Sequence, residues 1–390
     1  MDNTHVVPNA NQSDDVTNWI CATLRGERLP WLWPDDAQAI RSFVATVDIE
    51  GVGPLLHRLR ASDWPMALRE ALHKRAAAAA MWELYHGQSV TEALRSLAAA
   101  GVPAILIKGT ALAYSHYPEA DLRSRGDTDL VISPQSVERT CEVLQSQGFR
   151  REIAMRGRFI SYQSTFTKVD PAGFTHALDV HWRLSNSEVL SQLLTYDELA
   201  RSASRLAKLD EQAMAASPCH LLLIACIHRC AHRQNPYFVD EVAHHTDSRL
   251  IWLYDIHLLA ESLTAPEWES LTELAQRKGL LAICLEGLRL AQHAFGTRLP
   301  AAVSSHAAPD IDSAPSRYLE SSKLRQQWMD FIALRNPLHQ LQFIRELIFP
   351  PAAYMRAKYA SDAPAVLPWL YLRRAAHGIG KRWHGPNPSP

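Results

Sequence analysis

Asp127 and Asp129 stand two residues apart in Arg123-Ser-Arg-Gly-Asp-Thr-Asp-Leu-Val-Ile132, at the start of a run that reads as a strand. A strand aims side chains i and i+2 at the same face. Two carboxylates held that close repel unless a cation lies between them or one is protonated. Hard oxygen donors with room for water and phosphate oxygens suit Mg²⁺ or Mn²⁺. Taken alone, so short a pair also describes two solvated acids where a strand begins. A third acid, Asp179, lies in His176-Ala-Leu-Asp-Val-His-Trp182. Burying Leu178, Val180 and Trp182 turns Asp179 and His181 to the opposite face. If this strand neighbours that of Asp127, the three carboxylates can hold two metal ions, one on a triphosphate and one on an attacking hydroxyl. Upstream, Lys108-Gly-Thr110 joins a strand to a helix. The backbone N–H groups of such a turn, the Thr110 hydroxyl and the helix N-terminus can face a phosphate. Gly109 permits close backbone approach, and Lys108 and Arg123 can offset phosphate charge.

These residues need a scaffold, and the surrounding pattern supplies one. Residues 104–107 predict a short buried strand, and Gly109 opens a helix through Tyr114. Leu130-Val-Ile132 is a second strand, followed by a helix carrying Val137, Cys141 and Leu144 that stops at Gly148. Strand-like runs at 159–168 and 174–182 flank a hairpin turn at 170–173. Strands and helices in this order predict an α+β core over 101–186. Residues 1–100 read as an N-terminal helical region, with segments near 16–25, 35–47, 52–61 and 65–100 behind a frayed, polar first dozen. Residues 187–298 read as a helical domain, 299–315 as a linker, and 316–390 as a C-terminal helical region with a basic, Trp-containing tail.

Other features carry two readings each. His228 and His232 are one helical turn apart, so with Asp255 or His257 they form either a zinc site or a hydrogen-bonded, substrate-positioning pair. The second His of a His-Glu-x-x-His motif is present without its Glu, which excludes metalloprotease chemistry of that type. His244-His245 reads as solvated loop. The run 149–159 concentrates Arg150, Arg151, Arg156 and Arg158, as a polyanion grip or as a charged sheet edge. The tail joins Trp369 and Trp383 to basic residues, for a membrane surface or for packing on the protein body. A net charge of −1 gives no overall pull toward nucleic acid. Six cysteines without a Cys-x-x-Cys pair predict reduced thiols in the cytoplasm. No signal peptide and no apolar run of about 20 residues is evident.

The residues Gly101-Val-Pro-Ala-Ile-Leu-Ile-Lys-Gly-Thr-Ala-Leu112, Tyr117-Pro118, Leu122-Arg123, Gly126-Asp-Thr-Asp-Leu-Val131 and Leu178-Asp-Val-His-Trp182 resemble the bacterial uncharacterised nucleotidyltransferase family, within the DNA polymerase β-like nucleotidyltransferase superfamily. The resemblance takes in His228, His232 and Leu250-Ile-Trp-Leu-Tyr-Asp255 and extends to the tail motifs Leu347-Ile-Phe-Pro350 and Leu367-Pro-Trp-Leu-Tyr-Leu-Arg373, roughly residues 35 to 380. It implies a DNA polymerase β-like core and transfer of a nucleoside monophosphate from an NTP, with Mg²⁺ or Mn²⁺. Asp127, Asp129 and Asp179 then serve as catalytic metal ligands, with Lys108, Gly109, Thr110 and Arg123 on the phosphates. His181, His228, His232 and Asp255 position substrate. The superfamily's Gly-Ser is here Gly109-Thr110. The acceptor stays open among RNA, protein, sugar and small molecule. Rival readings are a glycosyltransferase using Asp-x-Asp on a nucleotide-sugar and a non-catalytic nucleotide-binding scaffold.

Overall fold

The N-terminal helices begin and end where local chemistry satisfies their backbone. Asp36 accepts from Gln38 N and Ala39 N, both at 2.9 Å, and so caps α2 (Ala37–Glu50). Gly51 closes that helix at φ 73°, a conformation costly for any residue with a Cβ. The computed structural model describes residues 10–59, 62–304, 313–359 and 366–374. Within them α1 spans Ala10–Leu24, α3 Gly53–Arg58 and α4 Met66–Ala99. The expected helices are present. α1 starts earlier than residue 16, and the polar residues 1–9 lie outside the described ones. The 34-residue α4 buries Leu68, Leu72, Val90, Leu94 and Leu97. Midway along it, Glu83 and His86 are also buried. A core-facing stripe interrupted by two ionisable residues needs partners for them, and these lie beneath the candidate site.

A seven-stranded mixed sheet follows, built from β1 (Ile105–Ile107), β2 (Thr128–Val131), β3 (Arg150–Arg151), β4 (Gln163–Val169), β5 (Thr175–His181), β6 (Ser204–Arg205) and β7 (Met214–Ala215). Their order is β3-β4-β5-β2-β1-β7-β6. β2 lies antiparallel to β1 and parallel to β5, which sets Asp129 opposite both Ile107 and Asp179. α5 (Lys108–Ser115) follows β1, and α6 (Val137–Ser146) follows β2. The α+β class expected from the pattern is the one observed. The sheet, however, continues past residue 186. β6 and β7 come from the stretch expected to be wholly helical, where α7 (Glu188–Ser191) and α8 (Tyr196–Ser202) are short. Two-residue strands carry no readable alternation. β3 is one edge of the sheet, with Arg151 donating to Ser164 Oγ at 2.6 Å.

α9 (Pro218–Ala231), the hairpin β8 (Tyr237–Val239) and β9 (Val242–His244), α10 (Leu250–Ser262), α11 (Ala265–Arg277) and α12 (Leu281–Phe295) complete the central body. His244 thus ends a strand rather than lying in a loop. One continuous apolar core runs from Val16 in α1 through the sheet to α12 and on to Leu319. In the expected linker, α13 (Ala301–Ser304) and the start of α14 (Ala314–Glu320) are helical, while residues 305–312 lie outside the described ones.

α15 (Lys323–Ala333), α16 (Pro337–Ile348) and α17 (Ala352–Tyr359) follow, and α15 and α16 fasten back through the buried Asp330 and the half-buried Glu346. Asp330 accepts from Ser187 Oγ at 2.8 Å and Tyr318 Oη at 2.9 Å, and Glu346 accepts from the N–H groups of Arg158 and Phe159 at 2.9 and 3.0 Å. Residues 367–374 rest on α16, with Arg374 donating to Leu347 O at 2.6 Å. The rest of the basic tail, with Trp383, lies outside the described residues. No helix among the described residues is long and apolar enough to cross a membrane.

Candidate active site

β1 is buried along its whole length and ends at Ile107, so the chain must turn sharply to start α5. Lys108 makes the turn at φ 53°, left-handed backbone that a lysine adopts only when its surroundings compensate. The compensation is electrostatic. Lys108 Nζ reaches Asp129 Oδ1 at 2.6 Å, and His181 Nε2 donates to the same oxygen at 2.9 Å. Asp179, opposite Asp129 in the register, accepts from Thr165 Oγ1 at 2.7 Å. One donor atom each from Asp129, Asp179 and His181 lie within 4.8 Å of one another.

That cluster differs from the one the sequence suggests. A ring nitrogen of His181 belongs to the tight group, while Asp127, which precedes the first paired residue of β2, sits outside it. Asp127 nonetheless feels it. Burial, then the charges of Asp129 and Asp179, push its pKa up to about 7, against the pull of Lys108 and Arg123. Burial acts the same way on Asp129, but the Lys108 ammonium and the His181 hydrogen bond outweigh it and hold this carboxyl well below the usual range. Burial alone lowers the Lys108 pKa, and Asp129, Asp127 and Asp179 together raise it above its ordinary value. The site therefore holds more negative charge than its own lysine neutralises. Clustered carboxylate oxygens plus one imidazole, with affinity left over for a proton, fit a hard divalent cation.

A pH dependence follows. The folded pKa of Asp127 lies above its unfolded value of about 4, so the folded protein holds the extra proton between them. Stability present at low pH is lost as pH rises from there to about 7. Asp129 acts oppositely and at lower pH, its contribution being lost as pH falls through its depressed value. Glu50, also raised to about 7 by burial, shares the upper window. In chelator, thermal melts of wild type should therefore decline more steeply across this window than those of Asp127→Asn. Parallel curves would contradict the coupling.

Beneath the acids lies a buried network that the sequence reading missed. Thr128 Oγ1 meets Thr110 Oγ1 and His86 Nε2, both at 2.8 Å. Arg125 donates to Thr110 Oγ1 at 2.9 Å and pairs with Glu83 at 2.6 Å. The Thr110 hydroxyl, expected on a phosphate, is thus 1% exposed and engaged behind β2, leaving Lys108 and Gly109 as the parts of this turn that line the cavity. Burial above all, then Arg125 and His176, lowers the His86 pKa to about 2, so it stays neutral. The available signal was Glu83 and His86 on the apolar stripe of α4.

Arg123 and Asp255 form a second buried pair. Arg123 Nε and Nη2 contact the Asp255 carboxylate at 2.8 and 2.7 Å, and Tyr117 Oη donates to it at 2.8 Å. Asp255 is therefore not free to join His228 and His232, and His257 bonds Thr297 instead. Among the described residues the zinc reading gains no third ligand. His232 Nδ1–H donates to Asn235 O at 3.0 Å, which makes its Nε2 the acceptor for His228 Nε2–H at 3.2 Å. His228 Nδ1 is then a bare acceptor. Burial first, then Lys108 and His232, hold His228 well below its ordinary pKa, so the chain of imidazoles is neutral.

The three acids, His181, Lys108, the Arg123–Asp255 pair, His228 and His232 line one cavity of about 1030 Å³. Its walls are the acids, Lys108 and Gly109, residues 184–187 with Leu190 of α7, α9 with the β8–β9 hairpin, and Tyr318, Lys323 and Gln326 from the C-terminal helices. An α+β sheet with carboxylates on adjacent parallel strands beside a strand–Lys-Gly–helix turn defines a nucleotidyltransferase-type core. Residues 36–296, more than half of the chain, match the family described as uncharacterised nucleotidyltransferase, and the chain belongs to it. The match stops at the end of α12, so the tail motifs that share the resemblance lie beyond it, as do the C-terminal residues lining the cavity. No curated protein matches the chain.

Proposed function

We propose that this protein transfers a nucleoside monophosphate from an NTP to a hydroxyl acceptor, with Mg²⁺ or Mn²⁺. The observation that carries the reading is the gathering of Asp127, Asp129 and Asp179 with the Lys108-Gly109 turn on one wall of a large cavity. Residues 101–186 carry the catalytic groups, and the helical regions on either side supply walls and buried supports. Asp127, Asp129 and Asp179 would hold the metal, with His181 beside them. When bound, the divalent ion supplies positive charge to the triphosphate and acidifies the acceptor hydroxyl. His181 and Lys108 fix the orientation of Asp129. The first backbone N–H groups of α5, unsatisfied at a helix start, point their partial positive charge at phosphate oxygens. Gly109 keeps that approach open, and Lys108 and Arg123 add charge.

The acceptor oxygen attacks the α-phosphorus, the bond to the bridging oxygen breaks, and pyrophosphate leaves with the electron pair. Asp179, tethered through Oδ1 to Thr165, is placed to take the acceptor proton on its other oxygen. Six unpaired thiols suit a reducing cytoplasm.

The test is incubation of purified protein with labelled NTPs and Mg²⁺ or Mn²⁺, following binding and pyrophosphate release. Wild type should bind and turn over a nucleotide, and Asp127→Ala should bind it more weakly. No binding with either metal, or Asp127→Ala binding as wild type does, sinks the assignment. Binding without release points to a scaffold, and stabilisation by nucleotide-sugars alone to a glycosyltransferase.

A further inference from the structure

The cavity's far wall differs in chemistry from the acid end. It is built of rings, from α9, the β8–β9 hairpin and α10. His232 stacks on Trp252 with centroids 4.5 Å apart and planes at 23°, and Tyr237 packs edge-on to the same indole at 5.1 Å. The Arg249 guanidinium lies over the Tyr237 ring at 4.7 Å. These contacts lock the inner layer, since Trp252 and Tyr237 are both buried. Phe238 is the exception. It lines the cavity yet is 65% exposed, on a hairpin whose tip, Asp240 and Glu241, has φ 48° and 66°. Two successive left-handed residues are the signature of a tight type I′ turn, which holds a short hairpin to one geometry. An exposed aromatic ring on the lining of a cavity offers a face on which a flat ligand can stack.

The wall is close enough to the phosphate end for one molecule to span both. Lys108, Arg123 and Asp129 line the same cavity as His228 and His232. Ser185, Asn186, Lys323 and Gln326 also line the cavity and supply polar groups suited to a hydroxyl-bearing acceptor. A cavity of about 1030 Å³ stands at the upper end of the usual ligand-pocket range of roughly 300–1,000 Å³, so it has room for two reactants.

We propose that the ring wall of Phe238 and His232, backed by Trp252, is the nucleobase subsite, holding the flat base of the NTP by stacking while its phosphates lie at Lys108. This assignment rests on the nucleotidyl-transfer reading. Stacking is tolerant of base identity because every base has a π-face. The neutral His228 Nδ1 offers a single acceptor for a base N–H.

The probes are α,β-methylene analogues of the four nucleoside triphosphates and inorganic tripolyphosphate, titrated calorimetrically with Mg²⁺ into the full-length protein. Tripolyphosphate shares the charge but has no base. Phe238→Ala, at an exposed position, and His232→Ala should each weaken the nucleotide analogues about tenfold and leave tripolyphosphate unchanged. Unchanged nucleotide affinity in both variants overturns the subsite. So does an equal loss for both classes of ligand, which would put the effect at the phosphate end. Wild type binding tripolyphosphate no more weakly than nucleotides overturns the subsite alone. Wild type binding neither overturns the nucleotidyl-transfer reading with it.

Discussion

Asp129→Asn should lower Mg²⁺-dependent pyrophosphate release about 10²–10³-fold while leaving the protein folded. Asparagine keeps the shape of the side chain. Its carbonyl oxygen can still accept from His181 Nε2–H and from Lys108, the two donors that now converge on Asp129 Oδ1. What it lacks is the charge. Asp129 is the most central of the acids, paired in register with Asp179 on one side and Ile107 on the other, so no neighbouring strand can supply a replacement. Lys108 is not stranded by the change, because Asp127 and Asp179 also act on its ammonium. Removing one of three clustered negative charges relieves Asp127, whose raised pKa owes its second-largest share to Asp129. In the metal-free melting temperature this relief opposes the loss of the buried Lys108–Asp129 ion pair, and the stability lost between about pH 4 and 7 should shrink. Melting curves and pyrophosphate release on the same preparation separate the two effects. Release within threefold of wild type would remove Asp129 from the metal site.

The sequence exposed whatever has a local period. Alternation in His176–Trp182 turned Asp179 to the face opposite Leu178 and Val180, and the glycine after Lys108 marked where β1 gives way to α5. The parallel pairing of β2 with β5 was not local. It joins residues 50 apart, so the closeness of Asp129 and Asp179 entered only as a condition. Direction on a helix was equally hidden. Thr110 follows Lys108 by two residues, and that rotation carries its hydroxyl behind β2 to Arg125 and Thr128. Arg125 finds Glu83 across 42 residues, and no spacing rule links them. The walls beyond residue 296 escaped for another reason. Tyr318, Lys323 and Gln326 sit on helices whose patterns speak of packing alone, and only the folded chain brings them to the cavity.

Arg123 is where packing and chemistry are hardest to separate, and a double-mutant cycle divides them. Arg123 and Asp255 are 7% and 4% exposed and join the loop before β2 to α10 through contacts of 2.7 to 3.0 Å. Asp255→Leu leaves a buried guanidinium and the Tyr117 hydroxyl without their acceptor. Arg123→Met leaves a buried carboxylate. Each single change should cost about 3–5 kcal/mol in chemical denaturation. The double variant removes both charges and fills the space with apolar atoms, so it should be more stable than either single one. Nucleotide affinity distinguishes the two roles of Arg123. If its guanidinium, which also faces the cavity, contributes charge to the triphosphate, the double variant regains stability but stays about tenfold weaker for nucleotide. If affinity returns together with stability, Arg123 acts only by anchoring the Asp127 loop to α10. The phosphate charge is then left to Lys108 and the start of α5.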